Sequence, residues 1–476
     1  MAAIGIEYDA IVVGSGPNGL AAAITIAREK RSVLLVEAKD TIGGGTRTKE
    51  LTLRNFVHDV CSAIHPLALA SPFFRALDLS RFGLEWIHSP APLAHPMDGQ
   101  NAIMLYRSVE FTSQNLGIDS ASYKNTIGYC VRHWKNLTEE LLKPLGAPKH
   151  PWLMMKFGKL AIRSAVGVAN SLFRDKRARA LFAGNAAHSI LPLNRLSSAA
   201  FGLMLPSLGH AVGWPIVKGG SQAIANALGS YLESLGGAIR LSSNVTSVDD
   251  LPKCKAILFD VTPRRLLHIA GTKFPDFYCK NLEKHKYGPG VFKIDWALKG
   301  PTPWLDERCL EAATAHIGGE LEEIAEAESS VWQGVAPQKP FVFFAQPSLF
   351  DHSRAPEGMH TAWGYCHVPN ACEIDMTDRV ESQLERFAPG FRDNIVARHA
   401  MFPKDMEAYN PNYVGGDIIG GSPDLADLFV RPLGRWRPYT TPAKGIYICS
   451  SSMPPGGGVH GMCGYLAAKR VLWDMF

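Results

Sequence analysis

Apolar and polar positions along the chain change period from block to block. Ala10–Val13 is a short apolar run closed by a glycine, the pattern of a strand buried on both faces of a parallel sheet. "LAAAITIARE", from Leu20, is small and apolar with helical spacing, and "SVLLVE", ending at Glu37, reads as a second buried strand. Residues 115–200 read as helical throughout. Further on, "YGPGVFKIDWALKG", "KPFVFFAQPSLF" and "HTAWGYCHVP" predict strands of an antiparallel sheet. "LEEIAEAESSVW" and "DRVESQLERFAP" predict helices that cover it. No internal repeat or low-complexity tract interrupts the pattern.

At 476 residues the chain exceeds one ordinary core, and two domains are expected. No run of eighteen apolar residues exists, so no membrane span is expected. "MAAIGIEYDAIVVGSG" has neither a basic start nor a cleavable apolar segment, so no signal peptide is expected. The nine cysteines are an odd number without a CxxC pair, which predicts reduced thiols in a cytoplasmic setting and argues against dithiol redox chemistry. A net charge of +5 is too mild to imply nucleic acid. Its distribution says more. Between 151 and 180 stand Lys156, Lys159, Arg163, Arg174, Lys176, Arg177 and Arg179 against the single acid Asp175, interleaved with Trp152, Leu153, Met154, Met155 and Phe157. Such a stretch suits peripheral contact with an anionic membrane surface; the alternative is a solvated helix face with a core side.

Gly14, Gly16 and Gly19 form GxGxxG between the first strand and the first helix, and Glu37 follows at the end of the second strand. Each part has a task in holding a dinucleotide. The first glycine permits the turn, the second lets a pyrophosphate approach the backbone, and the third lets helix and strand pack closely. The helix N-terminus attracts phosphate, and the acid accepts from a ribose hydroxyl. The alternative, a glycine-rich turn in an unrelated α/β protein, is disfavoured by the strand, helix and acid at these spacings.

Directly after Glu37, "AKDTIGGGTRT" brings Gly43, Gly44 and Gly45, then Arg47, and resembles the extended FAD fingerprint of flavoproteins. The usual arginine directly after a glycine pair is here Gly45, with Arg47 two residues on. The segment 215–248, with Gly219, Gly220, Gly236, Gly237 and Val245, and the closing "SSMPPGGGVHGMCG" resemble the middle and last FAD motifs of phytoene desaturase-like and amine oxidase-like oxidoreductases. "GGGTRT" followed by "FVHDVCSAIHP" is most similar to the carotenoid ketolase-like branch and to the pyridine nucleotide-disulphide oxidoreductase domain 2 proteins.

The resemblance implies an α/β fold: a Rossmann-type FAD-binding domain with an inserted α+β substrate domain that holds an antiparallel sheet and a helical part near 115–200. The FAD domain is expected to be discontinuous, at 1–75, 205–265 and 425–476, with 76–204 and 266–424 forming the substrate domain. It implies noncovalent FAD, held by Gly14, Gly16, Gly19, Glu37, Gly43, Gly44, Arg47 at a phosphate or ribose, Val245 on a strand at the adenine, and Gly457, Gly458 and Val459 at the flavin end. Cys449, just ahead of the last motif, is not expected to carry a covalent flavin. No second GxGxxG with its strand and acid signals a separate NAD(P)H domain. The implied activity is oxidation (desaturation or ketolation) of a small apolar, isoprenoid- or carotenoid-like substrate, with oxygen or a quinone as acceptor. The readings held against it are an amine or amino-acid oxidase and a non-catalytic FAD-bound interaction protein.

Lys293 and His65 are the candidate catalytic residues. Lys293 sits between Phe292 and Ile294 in an apolar strand, similar to the lysine of flavin amine oxidases; an exposed lysine on a polar strand face is the alternative. His65, with Cys61 and Asp59, lies on a segment expected to pass the flavin, although a lone histidine is more often structural. Asp295 and Trp296 are expected at the pocket or in the core, and Trp214, Trp363 and Tyr365 as pocket walls or core. His352, His360 and His367 show no metal spacing, and no metal is expected.

Overall fold

The computed structural model describes residues 8–424 and 437–476; the expected boundary at 425 lies outside them. The strands in chain order are β1 (Tyr8–Val13), β2 (Val33–Val36), β3 (Thr48–Glu50), β4 (Val57–Asp59), β5 (Trp86–Ile87), β6 (Leu93–Met97), β7 (Gln100–Leu105) and β8 (Ile216–Val217). They continue with β9 (Ala238–Arg240), β10 (Cys254–Phe259), β11 (Gly290–Leu298), β12 (Thr314–Ile317), β13 (Val342–Ala345), β14 (His360–Val368), β15 (Ile395–Met401) and β16 (Ile446–Ile448).

A five-stranded parallel sheet runs β16-β10-β1-β2-β9. Its order reverses between β1 and β10, the doubly wound arrangement that opens a crevice at the carboxyl ends of those two strands. Ala10–Val13 and Val33–Val36 are buried on both faces, as their unbroken apolar runs require. Helix Pro17–Arg28 packs against helix Met462–Met475. The contact is close because a Cβ on Gly464 would fall 1.7 Å from the Asn18 carbonyl oxygen. Glycine at 464 therefore serves helix packing, and the last helix begins at Met462.

The second sheet has seven strands, ordered β15-β11-β14-β13-β12-β6-β7. It includes the three segments expected to form an antiparallel sheet, and helices Leu321–Trp332 and Thr377–Phe387 form where the pattern placed them. All nine residues of β11 are buried, so the strand is covered on both faces. One face carries Phe292, Ile294 and Trp296 into a core with Phe344 and Phe391. Alternation turns Lys293 and Asp295 to the other face. Trp296, expected at the pocket or in the core, is therefore a core residue, and its Nε1 donates to Glu381. Between 115 and 211 the chain is mostly helical, from Ser120–Arg132 to Ala199–Ala211, and these helices share an apolar core with residues of β6, β7 and β13 of the seven-stranded sheet. Among the described residues no helix is long and apolar enough to cross a membrane.

Candidate cofactor and substrate site

The carboxyl edge of the parallel sheet gathers the end of each strand near the β1–β10 crevice. Gly14 follows β1 with φ 101°, and a Cβ on Gly19 would lie 2.0 Å from the Gly14 carbonyl, so the turn and the close approach both require glycine. Glu37 ends β2. Its carboxylate accepts from the Ser15 N–H at 3.0 Å, from the Ser15 hydroxyl and from the Lys39 N–H at 2.9 Å. Arg47 pairs with Glu37 at 3.1 Å and donates to the Thr41 carbonyl. The guanidinium thus braces the acid and the turn beyond it. Asp260 follows β10 and accepts from the Gly19 N–H at 2.8 Å. Burial, with Glu37 adding to it, pushes its carboxyl up to about 7 against the pull of the Gly19 and Gly16 N–H groups. Ser450 follows β16, and both its hydroxyl and the Asn18 side-chain oxygen are buried without a partner. Val245 does not lie on a strand: β9 stops at Arg240, and backbone N–H groups of Ser242 and Ser243 instead bond Lys39 and Glu37 carbonyls. The valine is buried against the sheet core in irregular chain just beyond.

A second network ties the residues after Gly43–Gly44 to the helix Gln222–Ser234. Asp59 accepts from the Ser221 N–H at 2.7 Å and the Thr48 hydroxyl at 2.8 Å, and Arg354 donates to it at 3.1 Å. An acid at a helix N-terminus satisfies free N–H groups there. Burial opposes its charge, yet Arg354 and these donors hold Asp59 below the usual carboxylate range. Arg354 also donates to Asp351 at 2.9 Å, which in turn accepts from the Gly219 N–H. His65 belongs to this network: its Nε2 meets the Ser221 hydroxyl at 2.8 Å, its ring leans on Trp86, and burial pulls its pKa down to about 4. His65 and Lys293 therefore sit in different clusters.

Lys293 is 2 % exposed, which removes the reading of a solvated lysine. Its ammonium is paired with Asp295, two residues along the same face, and lies 5.6 Å from the centre of the Trp363 ring. His58 and His399 approach the same carboxylate at 3.6 and 3.9 Å. Burial works against the charge of Asp295, but the Lys293 ammonium beside it holds the acid low. Burial pulls His58 down to about 4, so it is neutral at physiological pH. Register places a row of side chains across the sheet: His316 on β12, Phe343 on β13, Tyr365 on β14, Lys293 on β11 and Met401 on β15. Phe343 and Tyr365 stack at 4.6 Å, and Trp363 stacks on Tyr365 at 5.7 Å. Cys61, Ile64 and Leu67, from the segment after Asp59, stay half-buried, as does Tyr365.

Near the C-terminus, Gly457 packs on Ile419 and Gly458 on Leu67, while Val459 packs against the sheet core. His460 braces the loop through the Gly456 carbonyl and accepts the Met462 N–H at the start of the last helix. Cys449 is buried, and burial raises its thiol pKa well above the ordinary value. His352 and His360 lie away from Lys293, near Ser348 and Asp351. Among the described residues no group of side chains is arranged to hold a metal.

Known proteins give the same picture. Residues 12–77 match the NAD(P)-binding Rossmann-like domain family. The chain is 25% identical to the mouse (Mus musculus) pyridine nucleotide-disulfide oxidoreductase domain-containing protein 2, over 98% of this chain and 94% of the relative. It is 22% identical to a phytoene desaturase (lycopene-forming) from Paracoccus sp., over 96% and 95%. Putrescine oxidase bound to putrescine shares the fold, with a TM-score of 0.63 and 18% identity over 98% of this chain and all of that one. Over nearly its whole length the chain is thus similar to oxidoreductases of the phytoene desaturase and pyridine nucleotide-disulfide oxidoreductase domain 2 kinds, and it shares its fold with an amine oxidase. The residues fit the cofactor: accessible backbone at Gly16, Gly44 and Gly45, an acid at the end of β2, and orphaned Asn18 and Ser450 oxygens share the edge where FAD would be held. Asp260, His58, Arg354 and Asp351 escaped the sequence reading. Asp260 alone carried a signal, since "KAILFD" is an apolar run ending in an acid, as "SVLLVE" is.

Proposed function

We propose that this oxidoreductase desaturates or ketolates an elongated, largely apolar, isoprenoid-type substrate, and that oxygen or a quinone takes the electrons onward. Bound FAD would supply the hydride acceptor. The observation that carries the reading is the cross-strand row on the seven-stranded sheet: stacked aromatic rings lead to a buried lysine, on the side that carries the half-buried Cys61, Ile64 and Leu67. The aromatic faces give a long apolar wall, and Trp363 and Tyr365 orient a flat or extended chain along it. Lys293, held by Asp295, places a fixed positive charge and a proton donor at the end of that wall. His65 orients the 62–66 segment through Ser221. The five-stranded and seven-stranded sheets are read as the cores of the FAD-binding and substrate-binding units. The similarity to a phytoene desaturase supports this substrate class.

The amine oxidase reading draws on the same Lys293 and on the shared fold with putrescine oxidase. Anaerobic mixing of the FAD-loaded protein with isoprenoid chains and, separately, with putrescine decides between them. Bleaching of the flavin bands by an isoprenoid chain alone is the expected result. Bleaching by putrescine alone would replace the proposal with the amine oxidase reading, and a flavin that no substrate class reduces would favour the interaction-protein reading.

A further inference from the structure

At the far end of the row that starts at Lys293, the sheet face becomes polar again. His316 on β12 meets His188 across a 3.0 Å contact between their Nε2 atoms, so one ring donates and the other accepts. His188 caps the helix Lys176–Ala187. Its ring packs on Phe343 at 4.4 Å and on Trp214 at 5.7 Å. It keeps accessible surface, as Tyr365, Ile64 and Leu67 do on the same side of the sheet. Its Nδ1 takes no hydrogen bond from the described residues, whereas His316 Nδ1 and His367 Nε2 are fully buried and unpartnered. His367 is fixed by Glu328 at 2.7 Å and lies beside Phe343 and Tyr365. Buried polar atoms without partners are uncommon in native interiors. His316 Nδ1 lies against Gly184 and His95, so the nitrogen of the pair left for a ligand atom is His188 Nδ1, which His316 orients from behind.

We propose that the His188–His316 pair anchors a neutral oxygen function, a hydroxyl or a carbonyl, at the end of an otherwise apolar substrate whose reacting carbon lies at the Lys293 end. The proposal rests on the isoprenoid-type reading above and narrows it to oxygenated chains. The length follows from the sheet: three strand spacings separate β12 from β11, about 14 Å. The neutrality follows from the surroundings. Burial pulls His188 down to about 3 and His316 well below its ordinary value, and His95 is likewise pulled down to about 4. Glu328 is the acid next to the cluster, and it is occupied by His367. A neutral imidazole pair donates or accepts by switching tautomers, which suits a hydroxyl or a carbonyl, and offers no charge to a carboxylate or phosphate.

The test is equilibrium binding, without turnover, to the FAD-loaded protein, read by tryptophan fluorescence. The probes are farnesol, its hydrocarbon counterpart farnesene and the corresponding acid, farnesoic acid. Farnesol is expected to bind about tenfold tighter than either, the effect of one net hydrogen bond in a dry site. His188→Phe, which keeps a ring, is expected to abolish the preference with FAD content unchanged, and His188→Asn to restore part of it. Equal binding of farnesol and farnesene, tighter binding of the acid, or an undiminished preference in His188→Phe would overturn the inference and leave the isoprenoid reading standing. Failure of all three probes to bind would remove both. The comparison among wild-type ligands stands even where a variant does not fold.

Discussion

Lys293 and Asp295 stand two positions apart on β11, so both side chains enter one buried face, and neither charge has water to fall back on. Removing one partner from such a pair strands the other. Lys293→Met is therefore expected to cost about 3–5 kcal/mol of stability, and Lys293→Met with Asp295→Asn to recover most of it. If Lys293 acts in the chemistry, the double variant melts near the wild type yet reduces its flavin far more slowly; melting curves beside anaerobic flavin reduction separate the two effects. Asp260 gives a second residue-scale prediction. Its folded pKa, about 7, lies above its ordinary value of 3.8, so folding takes up a proton between those two limits. Stability from this group is greatest below the ordinary carboxylate range and is lost as pH rises through about 7. Asp260→Asn is expected to flatten that part of the stability profile, and also to flatten the weakening of FAD affinity with rising pH that an ionised acid beside the phosphate-binding turn would cause. FAD titration of the apoprotein at several pH values checks the second point. At this scale the sequence was only partly legible. Glycines, Glu37 and the buried lysine stood out because each is unusual in its local pattern. His58, Arg354 and Asp351 were silent, since a single ordinary polar residue says nothing about a partner hundreds of positions away.

The helix Pro151–Ala161 is the element whose role is most separable from the fold. It buries Leu153, Phe157 and Ala161 and turns Trp152 and Met155 outward at 79 % and 61 % exposure, with Ile162 at 60 % just beyond its end. Lys156 and Lys159 share that outer face, and Lys156 also lies over the Tyr129 ring. An apolar stripe bordered by lysines suits the interface of an anionic bilayer. Co-sedimentation with vesicles containing phosphatidylserine is expected, and Lys156→Ala with Lys159→Ala should weaken it by about 2 kcal/mol, or roughly 30-fold. Vesicles without anionic lipid should retain little protein; equal retention on neutral and anionic vesicles would contradict the charge part of the argument. Elements were more legible than residues, because period and burial are local properties. The exception is instructive: beyond Arg240 the apolar positions do not continue as a strand, and Val245 reaches the sheet through irregular chain that bonds residues 37–39.

At the scale of the molecule, the segment 43–67 touches both sheets: the Gly43 N–H bonds the Ser15 carbonyl just beyond β1, and Val60 packs with Val291 of β11 and Met401 of β15. The parallel sheet supplies the glycine turn, Glu37 and Asp260, and the seven-stranded sheet supplies the aromatic row and Lys293. The presence of both sheets was legible from the alternation of apolar blocks. Their strand order was not, because β10 reaches β1 from far along the chain, with Ala10 opposite Ala256, and β16 then pairs with β10, with Ile257 opposite Ile446; only packing decides which edge they take. The central claim is that the edge of the parallel sheet holds FAD, without a covalent link, against that row. The visible absorption spectrum of the purified protein, taken before and after denaturation and removal of the polypeptide, tests it most directly. The account predicts flavin bands that pass into the small-molecule fraction, and their weakening in Glu37→Ala. A colourless protein that FAD cannot reconstitute, or a flavin that stays with the polypeptide, would contradict it.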